Sequence, residues 1–160
     1  MTDSTSKART TSGLTHVRAD GTAHMVDISA KEVTARRAAA SGMVLLSAAA
    51  VAALRGGAVP KGDALGVARV AGIQAVKRTP DLIPLAHPVV VHAVEVDLDV
   101  VDEGVRISAV VRTADRTGIE MEALTAVSVA ALALVDMVKA VDKHARITDI
   151  RVTAKSGGRS

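Results

Sequence analysis

The stretch Gly118-Ile-Glu-Met-Glu-Ala-Leu-Thr-Ala-Val-Ser-Val-Ala-Ala-Leu-Ala-Leu-Val-Asp-Met-Val-Lys-Ala-Val-Asp142 has no proline and no interior glycine. Its Ala, Leu and Met side chains lose little entropy in a helix, so the spacing predicts one long helix around which the rest of the chain packs. Apolar residues go almost all the way round it, and most of its circumference must be buried in a core or an interface. The polar exceptions carry the information.

At about 100° per residue, Glu122, Thr125, Asp136, Lys139 and Lys143 share a stripe about 100° wide, with Val129 and Leu132 between them. One reading is a narrow wet face with an Asp136/Lys139 surface pair, contributing a few tenths of a kcal/mol. The other is the lining of a polar cavity whose lysines await an anion.

Nearly half of the 160 residues are apolar, yet none is Phe, Tyr or Trp. The core must therefore be Val, Leu, Ile, Met and Ala, whose small side chains suit close packing of helices on a sheet. Readers of single-stranded nucleic acid stack bases on aromatic rings, so that class is disfavoured. A net charge of only +3 is no basic stripe of the kind that wraps nucleic acid. Zero cysteines exclude disulfides and thiolate metal sites and suit a reducing cytoplasm. The start of the chain lacks the apolar run of a signal peptide, and Asp136 and Lys139 interrupt the best membrane-length segment, so a soluble cytoplasmic protein is expected.

Residues 1–13 are Ser/Thr-rich and read as a disordered tail, with a single domain over 14–160. Leu14 to Ser29 reads as two short extended pieces joined by an Asp20-Gly21 turn. Ser29 can cap a helical turn or two over Lys31–Arg37. The segment from Arg37 to Leu46 is ambiguous between helix and strand. Ser47–Leu54 reads as an Ala-rich helix ended by Gly56-Gly57. Asp63 can cap a second helix, Ala64–Arg78, which Pro80 terminates. His92 to Val100 and Val105 to Arg112 alternate as the two strands of a hairpin, with Glu95, Asp97, Asp99, Arg106 and Arg112 on its solvated face. Ile147–Thr153 is a last strand. Strands and helices in this order give an α+β fold: an antiparallel or mixed sheet with helices packed on one face.

Two positions outside the long helix invite a chemical reading. Lys61 stands just before a helix N-terminus, where a positive charge is unfavourable and burial would weaken its hold on its proton, although an ordinary turn lysine also fits. Pro80-Asp-Leu-Ile-Pro-Leu-Ala-His-Pro88 is a stiff connector that would present His87 at little entropic cost. His87 and His92 make a poor metal pair, since their odd spacing points them apart and no third ligand is evident. Lys155 beside Ser-Gly-Gly158 could cradle phosphate oxygens, but neither G-x-x-x-x-G-K-[ST] nor G-x-G-x-x-G occurs.

Several stretches together resemble the MoaC family, the cyclic pyranopterin monophosphate synthases of molybdenum cofactor biosynthesis. They are Leu14-Thr-His, Ala23-His-Met-Val-Asp-Ile-Ser, Lys61-Gly-Asp, Ala68-Arg-Val-Ala-Gly-Ile-Gln-Ala-Val-Lys-Arg-Thr, Asp81-Leu-Ile-Pro-Leu-Ala-His-Pro, Gly118-Ile-Glu-Met-Glu-Ala-Leu-Thr-Ala, Asp136-Met-Val-Lys-Ala-Val and Ala154-Lys-Ser-Gly-Gly. They run in family order from about residue 14 to the end. One departure is Ala86, where the family usually has Cys; as a small apolar replacement, Ala is expected only to pack.

The resemblance implies conversion of 3',8-cyclo-7,8-dihydroguanosine 5'-triphosphate, a substrate derived from GTP, to cyclic pyranopterin monophosphate with release of diphosphate. It also implies a ferredoxin-like α+β fold and a homohexamer, a trimer of dimers, with sites shared at subunit interfaces. Asp136 matches the family's catalytic aspartate and Lys139 its neighbouring lysine. Leu85, Ala86 and His87, with Met121 and Glu122, match the substrate-binding stretches, and Lys61, Lys77, Glu120 and Lys155 match further positions in or near the site. No metal or cofactor is expected, with Mg²⁺ beside the triphosphate left open. No nucleic-acid or membrane partner is expected either.

The rearrangement moves protons repeatedly without a redox step. Lys61 and Lys139 are accordingly assigned as the proton-transfer pair, with Asp136 orienting Lys139. His87, Lys77 and Lys155 would neutralise the phosphates, and Glu120 and Glu122 would accept hydrogen bonds from guanine-derived N–H groups. A non-catalytic nucleotide sensor and a purely structural oligomer are the competing readings. A sensor would bind nucleotide unchanged, and a structural oligomer would tolerate replacement of Lys61, His87 and Lys139 without loss of ligand affinity.

Overall fold

A computed structural model of the chain describes residues 17–158. The expected tail, 1–13, and the first matching stretch, Leu14 to His16, lie outside the described residues. The elements are β1 (Thr34–Leu45), α1 (Ala48–Gly56), α2 (Ala64–Leu82), β2 (Ala93–Val101), β3 (Gly104–Asp115), α3 (Glu120–Val138) and β4 (Arg146–Gly157). The sheet order is β2-β3-β1-β4 with every neighbouring pair antiparallel. This is the ferredoxin-like arrangement, a split βαβ in which β3 lies between β1 and β2.

The long helix is the core of the molecule. α3 lies on β1, β3 and β4, and α2 packs on α3 and β2. Val127, Leu134 and Val138 of α3 meet Val44, Val105, Ile107 and Val111 of the sheet in one apolar cluster. With no aromatic residue to fill space, closeness does the work. The backbone at Gly42 in β1 lies under Val127 and Ile150, whose side-chain carbons would stand 2.8 and 2.9 Å from an added Cβ. At Gly72 in α2 a Cβ would meet the Ala126 carbonyl of α3 at 2.9 Å and the Ala130 methyl at 3.2 Å.

α3 is long and apolar enough to cross a membrane. The interruption expected from Asp136 and Lys139 does not prevent this, because Asp136 falls in its last turn and Lys139 just beyond Val138. The helix is instead the buried core element of the fold.

The hairpin of β2 and β3 and the capped helices stand as expected. The Ser47 hydroxyl accepts from Ala50 N–H, Gly57 closes α1 in the left-handed conformation, and the Asp63 carboxylate accepts from Gly66 N–H. Three expectations are corrected and one open reading is decided. Lys31–Arg37 is not helical: Thr34 onward is β1, a central strand paired on both sides, and sheet pairing outweighs the helix preference of Lys, Glu, Ala and Arg. The ambiguous segment 37–46 belongs largely to the same strand. α2 runs past Pro80 to Leu82, where the buried Thr79 donates its hydroxyl to the Ala75 carbonyl and Ile83 N–H closes on Thr79. The last strand does not stop at Thr153: Ala154 to Gly157 continue β4, opposite Ala39 to Arg36 of β1.

The close crossing predicts opposite signs for two glycine replacements. Gly72→Ala should overpack α2 against α3 and lower unfolding stability by about 1–3 kcal/mol. Gly56→Ala, at the open end of α1 with nothing within 4 Å, should be neutral or stabilising by up to about 1 kcal/mol. Urea midpoints of the two variants against the parent chain check both.

Candidate active site

α2 and α3 run antiparallel, so the loop before α2 meets the end of α3 and the loop after α2 meets the start of α3. Polar side chains collect at both ends of this pair. Each end draws on residues that are far apart in the chain.

At the start of α3 is a cavity of about 650 Å³. Leu85, Ala86 and His87 line one wall, and Glu120, Met121 and Glu122 line the floor. Lys155 reaches in from β4, and its Nζ lies 3.4 Å from Glu120 Oε1. The Glu120 carboxylate folds back over Gly118, where a Cβ would stand 2.3 Å from Oε2. The loop that carries His87 is fixed to β3: Val90 N–H donates to the Asp115 carboxylate, the Thr113 hydroxyl to the Val90 carbonyl, and His92 N–H to the Arg112 carbonyl. His87 itself bonds the Val26 carbonyl through Nε2 at 2.5 Å. Since a carbonyl only accepts, Nε2 carries the hydrogen.

Glu122 is 2% exposed. Burial pushes its carboxyl up to about 7, with the neighbouring Glu120 charge adding to the effect. A carboxyl of this kind can hold a proton or release it near neutral pH, which suits proton transfer or donor recognition.

A second cleft of about 360 Å³ opens beside the cavity and shares Gly118, Glu120 and Lys155 with it. Its other walls are Arg36, Arg37 and the turn Ser156-Gly157-Gly158. Arg36 Nε donates to the Asp115 carbonyl at 3.2 Å, and its guanidinium lies on Gly158, where a Cβ would come within 2.3 Å of Nη1. Gly157 (φ 90) and Gly158 (φ 73) are both left-handed, so these glycines shape a cationic wall.

At the other end of the helix pair, Asp136 Oδ1 is shared by Lys61 Nζ at 3.1 Å and Lys139 Nζ at 2.9 Å. These two lysines hold the Asp136 carboxyl below its usual range, Lys139 contributing most. The cluster is open to solvent, with Lys61 at 40% and Asp136 and Lys139 at 59% side-chain exposure. Of the two readings open for Lys61, the single chain shows the exposed turn lysine and not the buried one.

The single polar stripe expected along α3 is also divided. Glu122 and Thr125 are buried, whereas Leu132, Asp136 and Lys139 are exposed. Glu122 and Asp136 are fourteen positions apart along the helix, a span of about 21 Å. Within one chain, Lys61, Asp136 and Lys139 thus do not join the cavity of Leu85, Ala86, His87, Glu120, Met121, Glu122 and Lys155. Lys77 is exposed on α2 and lines neither cleft.

The sequence reading missed Lys31, Val26 and Ile28 of the cavity lining and the Arg36-Arg37 wall. The adjacent arginines were legible as a basic pair, but a helical reading of 31–37 gave no reason to bring them to Lys155. Among the described residues, no group of three or more His, Cys, Asp or Glu could hold a metal ion.

Known proteins with similar sequences bear on this arrangement. The MoaC family model matches residues 25–158. A Streptomyces griseus subsp. griseus protein named cyclic pyranopterin monophosphate synthase is 63% identical over 155 residues, covering 97% of this chain and 88% of its own length. Proteins of the same name from a Nocardioides species and from Dinoroseobacter shibae are 65% and 56% identical, each covering more than nine-tenths of both chains.

The burial of Glu122 has a consequence for stability. Its folded carboxyl titrates near 7 against an ordinary value of 4.5, so between those values the folded chain binds more protons than the unfolded one. Its contribution is fully present below about 4.5 and is lost as pH rises towards 7. Glu122→Gln, which cannot ionise, should gain stability relative to the parent chain across this window and hold a constant difference above it. Urea midpoints of both proteins from pH 4 to 8 test this, and a difference that does not vary with pH would remove the burial argument.

Proposed function

The chain belongs to the MoaC family, and from this premise we infer that it makes cyclic pyranopterin monophosphate for molybdenum cofactor biosynthesis. The substrate is 3',8-cyclo-7,8-dihydroguanosine 5'-triphosphate, and diphosphate leaves. The observation that carries this reading is the continuity of two chemically different clefts. A carboxylate-floored cavity suited to the N–H groups of a guanine-derived ring opens into a cleft walled by Arg36, Arg37 and Lys155, which suits a polyphosphate. A single catalytic domain over residues 14–160 carries both, and the nucleotide origin of the substrate supports a cytoplasmic location.

In this reading, Leu85, Ala86, Met121, Glu120 and Glu122 hold the ring system, and His87 is among the groups that meet the phosphates. Glu120 and Glu122 accept from its N–H groups while the protein cations neutralise the phosphates. Lys61 and Lys139 transfer protons, and Asp136 orients both ammonium groups through one oxygen. The distance between the two ends of α3 supports a site completed by a second copy, whose Lys61, Asp136 and Lys139 cluster faces the first chain's cavity. Two-fold symmetry then makes two such sites per dimer, and three dimers give the homohexamer. Val67 and Val70 on α2 and Leu132 on α3, each 46–64% exposed between the two ends, are apolar surface for such an interface.

The purified chain should release diphosphate stoichiometrically from the cyclised triphosphate and give a pterin that fluoresces after oxidation. Lys61→Ala and Asp136→Asn should each lower turnover by about a hundred- to ten-thousand-fold with the oligomer intact. Near-normal turnover by either would sink these assignments, and binding without conversion by the parent chain would favour a sensor. Mixing Asp136→Asn with His87→Ala subunits under exchange conditions should restore about a quarter of parent activity, because about half of the dimers are then mixed and one of the two sites in each is intact. No recovery from well-exchanged subunits would place both clusters in the same chain's site.

A further inference from the structure

β3 outruns its partner on one side. Its ladder with β1 reaches the pair Thr34 and Asp115, whereas its ladder with β2 stops at Ala93 and Arg112. Beside the last residues of β3 runs the chain from Pro88 to His92, which follows directly on the His87 wall of the cavity. Side chains continue the pairing there. The Asp115 carboxylate accepts from Val90 N–H at 2.9 Å, the Thr113 hydroxyl donates to the Val90 carbonyl, and His92 Nδ1 accepts from Ala114 N–H at 3.3 Å. Val89 and Val91 pack on the core and keep the segment on the body. Val90 itself is 61% exposed, so its polar bonds rather than burial fix where it stands along β3.

Asp115 holds more than Val90. Its other carboxylate oxygen accepts from Arg116 N–H at 2.7 Å, which sets the exit from β3 into Thr117 and Gly118, a further wall of the cavity. Its main-chain carbonyl accepts from Arg36 Nε at 3.2 Å, on the cationic side of the neighbouring cleft. The Val90 N–H above all, then the Arg116 N–H and the Arg116 and Arg36 charges, hold its carboxyl below the usual range. Both oxygens are therefore acceptors at neutral pH. Three oxygens of one residue tie together walls supplied by segments far apart in the chain. Only Pro88 and Val89 separate Val90 from His87, and the fixed φ of Pro88 leaves little slack, so a shift at Val90 is passed to the imidazole.

We propose that Asp115 is a positioning residue of the site, which sets the His87 wall against the Thr117–Gly118 wall and Arg36 and acts on the reaction through His87. The identity of the reaction rests on the synthase reading. The placement of His87 does not.

Two measurements on the full chain separate them. In the free protein, the His87 ring nitrogens should show the Nε2–H tautomer in the parent chain and average between both tautomers in Asp115→Ala. Exchange of the Val90 and Arg116 amides should speed up severalfold in that variant, while amides at the centre of β3, such as the buried Ala109, keep their parent rates. With the cyclised triphosphate, Asp115→Ala should lower kcat/KM about ten- to a hundredfold, the scale of a small misplacement in a site. In a His87→Ala background the same change should cost no more than about twofold, since both act through one group. Asp115→Asn, of the same shape but with one accepting oxygen, should show a smaller loss and carries the same comparisons if the alanine variant does not fold. An unchanged His87 tautomer, equal speeding of the Val90 and Ala109 amides, or losses that multiply in the double variant would overturn the proposal. If the parent chain does not convert the cyclised triphosphate, the synthase reading falls alone, and the ring spectrum and amide exchange decide the placement.

Discussion

Where α2 crosses α3, the Gly72 backbone lies against the Ala126 carbonyl with no room for a methyl group between them. Ala68 and Ala75 on α2 and Ala123 and Ala130 on α3 are buried around this point, so the helices approach on small side chains for several turns. Dispersion between well-packed backbones and methyl groups holds such a contact, and each added carbon would be felt. The crossing also fixes direction. Because the helices are antiparallel, the loop carrying Lys61 is delivered to Asp136 and the loop carrying His87 to Glu122.

The two ends then differ in dielectric. Glu122 is closed off beneath the loop after α2 and titrates near neutrality, whereas Asp136 stands in solvent with two lysines and stays ionised. A buried carboxyl and an exposed triad of charges are unlike in chemistry, and a reaction that moves several protons has use for both. Their separation along α3 is what makes a second copy part of the proposed site rather than a packing partner for it.

Much of this was legible from pattern alone. The alternation of Val94, Val96 and Leu98 with Glu95, Asp97 and Asp99 marks a half-buried strand wherever it occurs, and Ser47, Gly57 and Asp63 mark helix ends by chemistry local to a few residues. β1 was not legible in the same way. Thr34 to Leu45 is rich in Ala and Arg, residues of good helix propensity, and it is a strand because β3 and β4 pair with it on both sides. Ala38, Ala40 and Gly42 are small because this face of the strand lies under α3, a reason that exists only once α3 is in place. The misreading had a cost at the site, since only the strand pairing of β1 with β4 brings Arg36 into the cleft that Lys155 lines.

Local patterning by itself determined the long apolar helix, the hairpin, the caps and the absence of aromatic stacking. The ordered matching stretches identified the family and with it the candidate residues. Each of these follows from properties carried by neighbouring residues in the chain. Only the tertiary structure decided that one apparent stripe on α3 is two environments, that Lys61 is exposed, that the segment before β1 brings Lys31 to the cavity, and that Arg36 meets Gly158. Those outcomes depend on which segments lie over which, and burial and charge pairing are set by contacts between residues far apart in sequence.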